Sequence, residues 1–354
     1  MIFSSVALSL LLLPASPARA DRLDASNKNA TQACVMPDRD LGIRRKPGCA
    51  GEVSRAGSTV TMSYNAHGLR DKDYPRAAPP GVTRILVIGG SLMTAPGVEE
   101  NDDPPRAFER ALRRRGLRVE VVNASGEGYS GWQNAARLQE YLDAYAPKVV
   151  VYHLAAHYIF NDRALWDDLR LEGGEIRGRL PALRMLPKKM LPLFRNARFI
   201  PFMARVYREQ WGRIRASREI AAEAPDQGLE DLMRPTLAEL AQMNSACRAA
   251  GARLFVVYDE DAATADQYLL ITGSSWPGRL AQWLWIRSLR FDGGGVAKRI
   301  SDEGARLGYT LLSIAPERPA LQDPANLLPS DYHWNTRGAG IFGEAAARAL
   351  APSL

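Results

Sequence analysis

Five short apolar runs recur along the chain, at 84–88, 119–123, 148–153, 253–258 and 309–314. Each is nearly unbroken, the pattern of a strand buried on both faces rather than the alternation of a strand with one wet face. Helical spacing fills the stretches between and after them, at 105–115, 132–145, 229–250, 295–307 and 337–350. Strand and helix in alternation predict a five-stranded parallel sheet covered on both sides, a three-layer α/β/α domain. In such sheets ligands bind at the carboxyl ends of the strands. Ser91 follows the first run, Gly128 the second and His157 the third, so all three are expected on that edge.

Two stretches interrupt the alternation, at about 163–226 and 262–294, and are read as helical insertions. Between Arg177 and Arg218 the first carries twelve Lys or Arg and one acid, Glu209, interleaved with apolar residues. A basic amphipathic segment of this kind can rest on an anionic membrane surface, or it can be a helical insertion with solvated cations. The second insertion holds Trp276, Trp283 and Trp285, which suit sugar stacking or an apolar acyl pocket, or simply a packed lid helix.

At the start of the chain, the apolar core Val6 to Leu13 followed by Ala18-Arg19-Ala20 reads as a secretory signal, although no basic residue precedes the core. Pro14 and Pro17 and the short apolar length count against a membrane anchor. The expected organisation is a signal at 1–20, an N-terminal extension at 21–80 and an α/β domain at 81–354. The mature protein is expected to be secreted or periplasmic, and soluble.

With 354 residues, 46% of them hydrophobic, the chain has ample material for a core. Its net charge of +7 is concentrated in the first insertion, and no nucleic-acid-binding module is recognisable, so nucleic acid is not an expected partner. Cys34 and Cys49 could close a disulfide across a loop rich in Pro, Gly and charge, whereas Cys247 lies in a helical pattern as a small apolar residue. No Cys/His spacing resembles a zinc site, and no cofactor or metal is expected.

Candidate chemistry sits just ahead of the last helix, in Asp331-Tyr332-His333-Trp334-Asn335. A carboxylate two residues from an imidazole can fix its tautomer and stabilise it once protonated, which is what a serine needs to become a nucleophile. The candidate serine is Ser91, on the turn that ends the first strand.

The motifs around these residues follow one order. Asn65-Ala66-His67-Gly68-Leu69-Arg70 precedes the first strand; Gly89-Gly90-Ser91 and then Gly97-Val98 follow it. The second strand leads into Asn123-Ala124-Ser125-Gly126-Glu127-Gly128-Tyr129-Ser130-Gly131-Trp132-Gln133, and Asp331, His333, Asn335 and Gly338 complete an Asp-x-His-x-Asn-x-x-Gly block. In these blocks the chain, from about Thr61 to Leu354, resembles the SGNH (GDSL-type) hydrolase superfamily, in its exported bacterial branch. The resemblance implies a flavodoxin-like α/β fold and a Ser91–His333–Asp331 triad. It also implies an oxyanion hole formed by the Ser91 and Gly128 backbone N–H groups and a third donor after the third strand. An Asp-x-His-Trp form of the last block also occurs among alginate O-acetyltransferase-like proteins.

Two positions depart from the pattern. Gly90 replaces the Asp of Gly-Asp-Ser, removing a side chain that normally helps fix the nucleophile loop. His157-Tyr158 replaces the usual Asn-Asp pair after the third strand. A neutral imidazole can donate one hydrogen bond, so His157 can stand in for that Asn; Asn161-Asp162 can do so instead, or His157 can merely pack. Three functions are therefore weighed: hydrolysis of an acyl ester of carbohydrate or lipid, O-acyl transfer to an exported polysaccharide, and binding without catalysis.

Overall fold

The five apolar runs become the strands of one parallel sheet. The computed structural model describes residues 34–38, 41–55, 57–159, 169–172, 175–178, 225–259, 293–329, 331 and 333–354. Four short strands come first: β1 (Val35–Asp38), β2 (Gly42–Arg45), β3 (Ala50–Arg55) and β4 (Ser58–Ser63). The central strands β5 (Thr83–Ile88), β6 (Val119–Asn123) and β7 (Val149–Ala155) follow. After them come a small pair, β8 (Leu169–Glu172) and β9 (Glu175–Gly178), and then β10 (Arg253–Asp259) and β11 (Thr310–Leu312). The helices are α1 (Ser91–Thr94), α2 (Pro104–Arg114), α3 (Gly131–Tyr145), α4 (Pro225–Ala249), α5 (Gly293–Leu307), α6 (Arg318–Leu321) and α7 (Thr336–Leu350).

The central sheet runs β11-β10-β7-β5-β6. Its register sets Ile85 beside both Val121 and Val149, and Val151 beside Phe255, with every pairing parallel. The chain leaves β5 for β6 on one side and returns to β7 on the other. This is the flavodoxin-like order, and it opens a crevice beyond the carboxyl ends of β5 and β7. Ile85, Leu86, Ile88, Val121, Val150, Leu154 and Val256 are fully buried, and helices cover both faces, with α2 packed on α7 and α4 on α3 and α5. Each such side chain contributes about 1.5–3 kcal/mol by leaving water.

Helix starts carry their own chemistry. Asp103 caps α2 by accepting from the Arg106 N–H at 2.8 Å, with prolines in the first turn. Ser130 and Gln133 form a capping box on α3, which gives the glutamine of the second motif block a structural task. Asn335 caps α7, accepting from Arg337 and Gly338 N–H groups at 3.0 and 3.1 Å.

Three expectations need correcting. The first insertion is not wholly helical: β8 and β9 form an antiparallel pair. The last strand is shorter than 309–314, because β11 is an edge strand paired only through Thr310–Leu312. The stretch between Cys34 and Cys49, read as a loop, holds the antiparallel pair β1–β2, and β3–β4 follows it, with Cys34 and Cys49 joined in a disulfide beside Val53, Val60, Met62 and Tyr64. The signal-like residues 1–20, the basic run from 179 onward and Trp276, Trp283 and Trp285 lie outside the described residues. Among the described residues no helix is long and apolar enough to cross a membrane.

Candidate active site

Asp331 and His333 are brought together. Asp331 Oδ1 lies 2.6 Å from His333 Nδ1 and also accepts the His333 backbone N–H at 3.0 Å. The turn carrying them is closed at its base: Leu328 N donates to His333 O at 2.8 Å, and Asn335 Nδ2 donates to Ala325 and Leu327 carbonyls at 2.9 and 3.1 Å. A helix cap and a loop clamp thus share one asparagine, a physical reason for Asn335 in the motif. Trp334 points the other way. It is 4% exposed, stacked on Phe342 at 5.0 Å and edge-on to His153 at 5.8 Å, so it fills the core rather than offering a face to substrate.

Burial works to raise the Asp331 carboxyl, but the hydrogen bond and charge of His333, and then Arg55, outweigh it and hold the group well below the usual carboxylate range. His333 is lowered, chiefly because burial disfavours its charged form; the Asp331 hydrogen bond opposes this and the Arg55 charge adds to it. At neutral pH the pair is therefore a carboxylate and a neutral imidazole, the resting state of a general base.

Arg55 gives no signal in the sequence. It comes from β3 of the disulfide-stapled extension, 276 residues from Asp331, and its guanidinium donates to Asp331 Oδ2. Because its charge lowers His333, the Arg55→Met variant should protonate His333 at higher pH. The acid limb of its kcat/KM profile is expected to move upward, with activity lost at mildly acidic pH and little changed above pH 8. Superimposable profiles would show that Arg55 does not act on the base.

Ser91 opens α1 at the carboxyl end of β5 and is partly exposed, while Leu92, Met93 and Thr94 behind it are buried. The leader motif holds this turn from below. Arg70 is 1% exposed and donates to the carbonyls of Thr94 (2.5 Å), Ala95 (2.9 Å) and Val98 (2.5 Å). Its neighbour Asp71 accepts from Asn123 N at 2.7 Å and from Arg106 at 2.9 Å, tying the leader to β6 and α2. Asn123 Nδ2 in turn donates to Met93 O at 3.1 Å. Burial raises Asp71 to about 6 and Asp103 to about 7 against the pull of Arg106, so this network sits close to its protonation range.

The second block lies against the serine turn: Ala124 N donates to Val87 O at 2.8 Å and Gly126 N to Gly89 O at 3.0 Å. Gly128 has φ of 81°, a left-handed conformation that glycine adopts without steric cost. His157 follows β7, next to β5 in the sheet, and is 6% exposed. Burial, then the charges of His153 and His333, hold it down to about 3, so it is neutral at working pH. Asn161-Asp162, the other candidates for this donor, lie outside the described residues. Among the described residues no group of His, Cys, Asp or Glu could hold a metal ion.

No family model and no curated protein matches the chain. Among solved structures it is similar to TesA, at 17% identity over 77% of this chain and 100% of that one, with a TM-score of 0.42. The psychrotrophic esterase EstA from Pseudoalteromonas sp. aligns at 12% identity over 77% and 98%, with a TM-score of 0.40. A catalytic mutant of Axe2, an acetylxylan esterase from Geobacillus stearothermophilus, aligns at 12% over 78% and 96%, with a TM-score of 0.39. These similarities concern chain arrangement, and the named activities are those proteins' own.

Proposed function

We propose that the protein is a serine ester hydrolase working through an acyl-enzyme. The observation that supports this reading is the 2.6 Å contact between Asp331 and His333 Nδ1, taken together with Ser91 opening α1 at the carboxyl end of β5. With Nδ1 committed to Asp331, Nε2 is the ring atom assigned to proton exchange. Ser91 Oγ attacks the ester carbonyl while His333 takes its proton. The tetrahedral oxyanion is held by the Ser91 and Gly128 N–H groups and by the neutral His157 ring. Collapse releases the alcohol, which leaves with the proton from His333. Water then adds to the acyl-Ser91 bond by the same route, freeing the acid and regenerating the serine.

The reading extends to an exported protein acting on an acyl ester of carbohydrate or lipid. The signal-like start and the Cys34–Cys49 disulfide support export. The 177–218 run supports a meeting with an anionic membrane surface, and the Trp276, Trp283 and Trp285 cluster supports a sugar or acyl group. O-acyl transfer is the second reading, favoured by the Asp-x-His-Trp block: a sugar hydroxyl replaces water in the second half of the cycle.

The test is turnover of p-nitrophenyl acetate by the full chain, with and without an oligosaccharide acceptor. Ser91-dependent release of p-nitrophenol with free acetate is expected, and an acetylated sugar among the products would give the transfer reading the site. Unchanged turnover in Ser91→Ala would exclude both, and a folded wild type that turns over neither ester nor acceptor would leave the third reading, binding without catalysis.

A further inference from the structure

We propose that in this chain the Tyr158 phenol holds the serine turn in place of a side chain on residue 90, making Tyr158 a positioning residue for Ser91. The role rests on the esterase reading above, but the packing beneath it does not. Gly90 has φ of −108°, a value open to any residue, so backbone conformation does not demand glycine there. Space does. A Cβ on residue 90 would stand 2.0 Å from the Tyr158 hydroxyl oxygen, 2.7 Å from its Cζ and 2.7 Å from the Tyr129 carbonyl oxygen. The volume that the side chain of residue 90 would occupy is filled by the polar end of a tyrosine arriving from beyond β7.

That tyrosine is itself fixed. It is 2% exposed, and its ring meets His157 edge-on at 4.4 Å and His153 at 6.5 Å. The two departures from the motif pattern, glycine at 90 and His157-Tyr158 after β7, are therefore one exchange of volume. A carboxylate in so buried a place would need its charge compensated, whereas a phenol brings a polar atom to the same place without one. Tyr158 and His157 are adjacent residues on one short turn. The group set against the back of the serine turn and the proposed oxyanion donor thus move as a unit.

A four-member cycle tests this: wild type, Gly90→Ala, Tyr158→Ala and the double variant, with Tyr158→Phe beside it, read by kcat and KM on p-nitrophenyl acetate and by melting temperature. Gly90→Ala is expected to lower kcat by about tenfold or more, since small misplacements of a reacting group are costly. In the Tyr158→Ala background the same substitution should cost markedly less, with the residual penalty coming from the Tyr129 carbonyl. Tyr158→Phe should lower kcat with KM unchanged. An equal Gly90→Ala penalty in both backgrounds, or wild-type kcat in Tyr158→Phe, would overturn the proposal.

The melting temperatures separate its failure from that of the esterase reading. Wild-type protein that turns over nothing but shows a coupled melting cycle sinks the esterase reading and upholds the exchange. Ser91-dependent turnover with an uncoupled cycle does the reverse.

Discussion

Replacing His333 by alanine is expected to lower kcat on short-chain esters by about 10⁴–10⁶, with KM little changed. The size follows from its double task, taking the serine proton and returning it to the leaving alcohol. The Asp331→Asn variant should lose less, because the imidazole keeps its place between the Leu328 and Asn335 clamps while losing the acceptor that fixes its tautomer. Steady-state kinetics on the two variants, with melting temperatures to show that both fold, give the comparison. A His333→Ala enzyme within tenfold of wild type would assign the base elsewhere.

His157 carries the second large effect. His157→Ala is expected to lower kcat by about 10²–10³, the usual loss of one oxyanion donor, whereas His157→Asn should keep activity within a few-fold because an amide offers the same hydrogen bond. Equal losses in the two variants would reduce His157 to packing. The titration of this residue adds a stability test whose sign is fixed. Its folded value of about 3 lies below the ordinary 6.5, so the unfolded chain takes a proton that the folded chain refuses. Stability from this group is whole above about pH 6.5 and drains as pH falls toward 3, by up to about 1.4 kcal/mol per pH unit. In His157→Asn that drain is absent, so its melting temperature should fall less steeply from pH 6 to pH 4 than that of the wild type. Parallel curves would show that the ring is not held neutral.

The sheet was legible because its strands are buried on both faces, and such strands spell near-continuous runs. All five lie within two residues of the expected bounds at each end, but only β11 is trimmed at both, because an edge strand has one neighbour to hold it. The extension was harder. Its strands are four to six residues long and carry few apolar positions, so no period stands out from the polar background.

The motif blocks also yielded the Asp331–His333 contact, since two residues of separation on a tight turn leave little geometric choice. Other parts of the site were not readable. Arg55 reaches Asp331 across 276 positions from a hairpin whose charge looks like ordinary surface. The fit of Tyr158 into the space beside Gly90 is a matter of shape between residues that follow different strands, which no pattern of polar and apolar letters records. Trp334, whose letter in the motif says nothing of its direction, packs between Phe342 and His153.

The central claim is that Ser91 is made nucleophilic by His333, and covalent labelling tests it most directly. Full-length protein treated with a fluorophosphonate should gain one adduct, mapped to Ser91 by peptide mass spectrometry, and His333→Ala should lose it while melting as a folded protein. An adduct on another residue, or Ser91 labelled as fast without the imidazole as with it, would contradict the account.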